Sequence, residues 1–278
     1  MRRGRFALLA LAVLALVAVQ LGLRGGSGSL PRAPDYHSLL VSPTDPLDVL
    51  LGTHDGLFRS RDGGRTWAKY SLGGKDAMNL AQAKGRTVWA AGHNVLARSM
   101  DGGITWRDVR PRGLPHLDLH GFAVDPRSSL TLYAAVAGEG LYRSRDGGAS
   151  FSPVSRAVGG SVFALAVLRD GRILAGDAER RLVLASRDGG KTWAGTVRAE
   201  VRGFAVGPEN PKVVLASGPG VLRSLDGGRT WRQVLRIGAG TGPIAWAPGA
   251  PRIAYVVAFD RTLHRSGDGG ATWRPVAG

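Results

Sequence analysis

From residue 37 onward, short apolar runs alternate with clusters of Pro, Gly, Asp and Asn, and no stretch keeps a helical spacing of apolar positions. The first unit reads SLLV, SPTDPLD, VLLG, THDG and LFRS. The third reads GFAV, DPRSSL, TLYAAV, AGEG and LYRS, and the fifth GFAV, GPENPK, VVLAS, GPG and VLRS. Runs of four to six β-prone residues between turn formers predict strands and are too short for helices. Each third strand enters a Ser-x-Asp-Gly-Gly box, and a fourth strand opens at the aromatic residue that closes it. The boxes start at Ser60, Ser99, Ser144, Ser186, Ser224 and Ser266, 38 to 45 residues apart. Four strands per unit and six units predict an all-β fold, a six-bladed β-propeller of four-stranded blades over residues 37–278.

The box sits where the third strand must turn back into the fourth. Paired glycines supply backbone with φ > 0 without a Cβ penalty. The Ser hydroxyl and Asp carboxylate can accept N–H groups that a tight turn leaves unpaired. Asp62, Asp101, Asp146, Asp188, Asp226 and Asp268 are therefore expected to hold turns rather than to do chemistry. The closing aromatics Trp67, Trp106, Phe151, Trp193, Trp231 and Trp273 offer packing surface. Arg59, Arg98, Arg143, Arg223 and Arg265 precede the box Ser in five of the six units. Repetition with the period predicts a structural role for them, pairing with a neighbouring blade.

The N-terminus departs from this pattern. Arg2, Arg3 and Arg5 precede an uncharged run over residues 6–23, about 27 Å long as a helix against a hydrocarbon core of roughly 30 Å. The run is longer than the apolar region of a cleavable signal peptide, and Gln20 fits a cleavage site badly. Residues 1–24 are expected to form a retained signal anchor, with the N-terminus cytoplasmic and the propeller extracytoplasmic at the cell membrane. Cleavage would make the protein secreted instead. Residues 25–36 read as a flexible Gly/Ser/Pro linker.

Composition narrows the function classes. The chain contains no cysteine, which excludes disulfides, thiol nucleophiles and thiolate metal sites. Lys+Arg outnumber Asp+Glu by 37 to 21, a net charge of +16. Such a surface suits an acidic protein, an anionic polymer or lipid headgroups. No compact basic run or nucleic-acid module is present, so nucleic acid is not an expected partner.

The pattern S-x-D-G-G-x-T-W resembles the Asp-box (BNR) repeat of sialidases, xyloglucanase-type glycosidases, sortilin-like receptors and photosystem II assembly-factor-like proteins. Short regular units such as GLYRSRDGGASF are most similar to the assembly-factor-like group and its bacterial relatives. That resemblance implies a binding or assembly module whose boxes lie at the blade periphery, with no cofactor. Sialidases carry an Arg-Ile-Pro signature, a Tyr–Glu nucleophile pair and an arginine triad; the first unit here lacks that signature. The alternative is a membrane-tethered glycoside hydrolase acting on a glycan, which needs two carboxylates facing across a sugar.

A propeller gathers the loops between second and third strands, and those between blades, on the face opposite the boxes. His37, His54, His93, His116 and His120 fall in or beside such loops, as do Asp55, Asn94, Glu139, Glu179 and Arg202. This set is the expected ligand or partner face. Asp118, Asp177, Glu200 and Asp260 map there too. Imidazole with carboxylate suits divalent metals, but no H-x-H or H-E-x-x-H spacing is present, and no metal site is assigned from sequence.

Overall fold

In the computed structural model, residues 30–33, 35–158 and 161–277 are described. Each repeat forms one four-stranded antiparallel sheet whose strands neighbour one another in chain order, and there are six such sheets. Blade one runs Ser38–Val41, Val49–Thr53, Gly56–Ser60 and Ala68–Ser71. The other blades span residues 79–108, 119–155, 162–198, 203–236 and 241–275. No helix occurs among the described residues, and none is long and apolar enough to cross a membrane. The anchor expected over residues 1–24 lies outside the described residues.

Burial follows the position of a strand within its blade. Second strands such as Val49–Thr53, Val88–Gly92 and Ala254–Ala258 are buried throughout, packed on both faces by neighbouring blades. This two-sided burial explains their continuous apolar runs. Fourth strands such as Arg107–Asp108 and Arg274–Pro275 are exposed and polar. First strands of adjacent blades touch around the whole ring, blade six against blade one included.

The boxes build the turns that their composition predicts. Ser60 is fully buried; its Oγ accepts the Gly64 N–H at 2.7 Å and donates to Asp62 Oδ1 at 2.8 Å. Asp62 Oδ1 also accepts the N–H of Arg65 at 3.0 Å and of Thr66 at 2.9 Å, and Oδ2 accepts the Thr66 hydroxyl at 2.6 Å. The same hydroxyl-to-carboxylate bond recurs at Ser99–Asp101, Ser144–Asp146, Ser186–Asp188, Ser224–Asp226 and Ser266–Asp268. Trp67, Trp106, Trp193 and Trp231 each donate Nε1–H to the carbonyl of the second box glycine at 2.9–3.1 Å. Phe151 has no such donor and is instead almost fully buried.

The second glycine does more than turn. Gly64 has φ +92°, and a Cβ there would sit 2.0 Å from Leu263 Cδ2 of blade six. Gly103 faces Leu50, Gly190 faces Leu141, Gly228 faces Leu174 and Gly270 faces Leu215, in each case a side chain of the preceding blade. The box therefore also docks each blade onto the one before it.

The ring closes without strand exchange, because blade one and blade six each consist of their own contiguous segment. The seam is a shared core of Leu39, Val41, Leu51 and Phe58 with Ala245, Tyr255, Val257 and Leu263. Tyr255 Oη donates to the Pro46 carbonyl across it at 3.0 Å. Part of the segment expected as a flexible linker belongs to this seam. Leu30 and Tyr36 are buried in it, Tyr36 Oη donates to the Pro31 carbonyl at 2.7 Å, and Arg261 donates to the Leu30 carbonyl at 3.3 Å. The packed chain thus already includes Leu30, ahead of residue 37.

The box arginines do not share one role. Arg59 makes a bidentate ion pair with Asp48 (2.7 and 2.5 Å) and bonds Tyr70 Oη at 2.7 Å, all within blade one. Arg98 lies 5.6 Å from the ring of Trp89, again in its own blade. Arg223 alone among these three reaches across, donating to the Gly269 carbonyl of blade six at 3.0 Å. Pairing with a neighbouring blade thus holds at Arg223 and fails at Arg59 and Arg98.

Candidate functional site

One position per blade, at or next to the start of the first strand, faces the mouth of the ring. Across the six blades it is occupied by His37, Met78, His120, Phe163, Arg202 and Gly242. All six line a cavity of about 120 Å³ at the mouth, on the face opposite the boxes. At Gly242 the missing side chain is replaced from outside: a Cβ would lie 3.0 Å from the Phe259 ring, which folds in from the blade-six hairpin. Phe163 and Phe259 remain 40% and 42% exposed, unusual for Phe in a packed domain. Arg202 lies 5.4 Å from the Phe259 ring and pairs with Glu200 at 2.5 Å.

Next to the mouth, histidines and aspartates alternate along an arc over blades one to three. His54 Nε2 is 3.3 Å from Asp35 Oδ2, and His54 Nδ1 is 3.2 Å from Asp76 Oδ2. His93 Nδ1 bonds that same Asp76 oxygen at 2.6 Å, while His93 Nε2 lies 3.4 Å from Asp118 Oδ1. His120 Nε2 lies 3.3 Å from Asp118 Oδ1, and the His120 ring stacks on Phe163 at 4.8 Å between centroids. His37 stands edge-on to His54 at 4.2 Å. Burial lowers the His37 pKa despite the opposing pull of the Asp76 charge.

The sequence-expected face therefore divides. His37, His54, His93 and His120 do converge. His116 stays exposed outside the arc, its Nδ1 accepting the Asp118 N–H at 3.3 Å. Asn94 serves the turn: it takes φ 57° in a two-residue hairpin, a conformation Asn tolerates. Asp55 accepts the Gly74 N–H at 3.1 Å and pairs with Lys69 at 3.2 Å. Glu139 stands 3.8 Å from Arg156, and Glu179 accepts the Ser161 hydroxyl at 3.2 Å.

Sequence reasoning missed Asp35, Asp76, Phe163 and Phe259. Asp76 is 8% exposed and lies in the connection from blade one to blade two, where no motif marks it. Phe163 was legible in principle, because aligning the six units puts it in register with His37 and His120. A larger cavity of about 370 Å³ lies between blades one and two. Its Asp48, Arg59 and Tyr70 bond one another, which leaves the mouth as the better-equipped site.

Residues 41–275 match the family model described as photosynthesis system II assembly factor YCF48. Among solved structures, YCF48 bound to D1 peptide is 18% identical, covering 89% of this chain and 82% of that one, with a TM-score of 0.57. YCF48 from Cyanidioschyzon merolae is 19% identical over 92% of this chain and 86% of that one, with a TM-score of 0.55. The GH74 xyloglucanase from Xanthomonas campestris is 22% identical over 91% of this chain but 46% of that one, with a TM-score of 0.63. Comparison with curated proteins gave no match. At these identities the solved structures establish the fold alone.

Proposed function

Because the chain belongs to the photosynthesis system II assembly factor YCF48 family, we propose that its propeller binds a linear segment of a partner protein at the mouth opposite the boxes. The exposed pair Phe163 and Phe259 on the mouth carries this reading. Two rigid aromatic rings beside a small cavity can take an apolar side chain of a peptide, and burying them repays their exposure to water. His120 and Arg202 flank the rings with polar groups that can read a peptide backbone or its charge. Support also comes from the YCF48 relative that is bound to D1 peptide.

The glycoside hydrolase reading draws on the carboxylates of the same face. Glu200 is engaged by Arg202, and Glu139 stands beside Arg156, so the arginines around them favour a binding surface over an acid–base pair. The same proposal keeps residues 1–24 as a membrane anchor and the propeller extracytoplasmic, supported by the apolar run over residues 6–23 and its arginine flank. The net charge favours an acidic partner segment.

The test is selection from a displayed library of random linear peptides on the full chain, followed by fluorescence anisotropy of the selected peptides. Phe163→Ala and Phe259→Ala should each weaken binding by about tenfold, the scale of losing one interface anchor. Thr66→Ala, on the opposite face, should leave binding unchanged. No enrichment, or full affinity in both Phe variants, would refute the mouth as the site.

A further inference from the structure

We propose that His93, Asp118 and His120 form a binding site for one divalent ion of the late first transition row, such as Zn²⁺. The site shares His120 with the mouth, and ion binding there does not depend on a peptide being bound. Zinc bonds to nitrogen and oxygen of about 2.0–2.2 Å at tetrahedral angles place neighbouring ligand atoms about 3.3–3.5 Å apart. Asp118 Oδ1 lies 3.4 Å from His93 Nε2 and 3.3 Å from His120 Nε2. All three ligand atoms fall within 4.8 Å of one another. Two imidazoles and one carboxylate leave a fourth position for water and favour zinc-like ions over calcium or magnesium.

The second observation is the state of the surrounding polar atoms. Among the described residues, six buried side-chain N or O atoms lack a hydrogen-bond partner, and three of them belong to this arc: Asp118 Oδ1, Asp76 Oδ1 and His37 Nε2. Asp76 is more than nine-tenths buried, an expensive place for a half-satisfied carboxylate. Its other oxygen bonds His93 Nδ1 at 2.6 Å, which orients the ring so that Nε2 faces Asp118 Oδ1. An imidazole nitrogen and a carboxylate oxygen facing each other at 3.4 Å have the spacing that one shared cation bridges. The carboxylate–histidine–metal order of Asp76, His93 and ion is the usual second-layer arrangement of zinc sites.

The ligands also stand on fixed backbone. His93 and Asp118 form a β-bridge, the Asn94 N–H bonds the Leu117 carbonyl at 2.8 Å, and His120 lies in the strand Leu119–Asp125. An ion here would tie the blade-two hairpin to blade three. Through the His120 ring it would also fix the position of Phe163 at the mouth.

The test uses the full chain, purified without a polyhistidine tag and freed of metal. Titration with Zn²⁺ should show saturable binding of one ion per chain, and Co²⁺ should give the ligand-field bands of a four- or five-coordinate nitrogen-bound site. Asp118→Asn and His120→Gln should abolish saturable binding, and Asp76→Asn should weaken it by about 10–100-fold, the usual effect of losing an outer-layer partner. His264→Gln, in the third strand of blade six, should bind as the native chain does. Absence of saturable Zn²⁺ binding, a six-coordinate cobalt spectrum, or native affinity in Asp118→Asn would overturn the assignment. The cobalt spectrum of the native chain decides even where a variant fails to fold.

Discussion

Asp268 shows what a repeated residue does when the repeat is a turn. Burial pushes its pKa up, but the Thr272 hydroxyl and N–H, the Ser266 hydroxyl and the Ala271 N–H overcome this and hold it at about 2, against an ordinary 3.8. At Asp146 the Ser150 hydroxyl, then the Ser150 N–H and the Ser144 hydroxyl, hold the carboxyl at about 2. Asp101, Asp188 and Asp226 are depressed further, chiefly by the following Thr at the first two and against burial at the third. The folded pKa lies below the unfolded one, so the stabilisation is complete above 3.8 and is lost as pH falls towards 2. Melting temperature should therefore hold steady down to about pH 4 and fall steeply below it. Asp268→Asn should lower the neutral-pH melting temperature and make the acid limb shallower. An acid limb of unchanged steepness in that variant would detach the boxes from acid unfolding.

At the scale of the element, the second box glycine joins turn geometry to blade docking. Gly190 has φ +93° with Leu141 Cδ2 of the preceding blade 2.3 Å from where a Cβ would stand. Gly190→Ala meets both a strained backbone and an overpacked interface, together about 2–4 kcal/mol. In Leu141→Ala/Gly190→Ala the added methyl enters the space vacated by leucine, so the two costs should sum to more than the double variant loses. Additive losses in denaturant melts would show that the strain is in the turn alone. The boxes were fully legible as turns, because period, glycine pair and closing aromatic all name the same hairpin. Docking was not legible, since Leu141 and Gly190 lie far apart in sequence and no local pattern links them. Arg59 departs from the expected cross-blade pairing for a related reason: Asp48 stands immediately before the adjacent strand of its own blade, a pairing that register decides and composition does not. Likewise the His positions marked a face, whereas Asp76, which organises them, sits in a connection of no distinctive composition.

At the scale of the molecule, the N-terminal segment and the ring raise separate questions. If residues 1–24 anchor the chain, the mature protein should start near Met1 and require detergent for extraction. A mature N-terminus between Gly25 and Leu30 on a freely extracted protein would show a cleaved signal peptide. Leu30 and Tyr36 belong to the seam between blades six and one, so little slack separates the end of the apolar run from the packed propeller. An anchored propeller would then be held close to the bilayer surface.

The six-fold ring is six self-contained sheets, and among the described residues no strand crosses from one chain end to complete the other. The position of the two termini is consequently arbitrary with respect to hydrogen bonding: opening any of the five inter-blade connections and joining the present ends would break no ladder. Blade number is equally free of the closure, because inserting or deleting one unit of roughly forty residues leaves every remaining sheet intact. Lineages with such a seam can change the circumference of the ring by tandem duplication alone, and with it the width of the mouth.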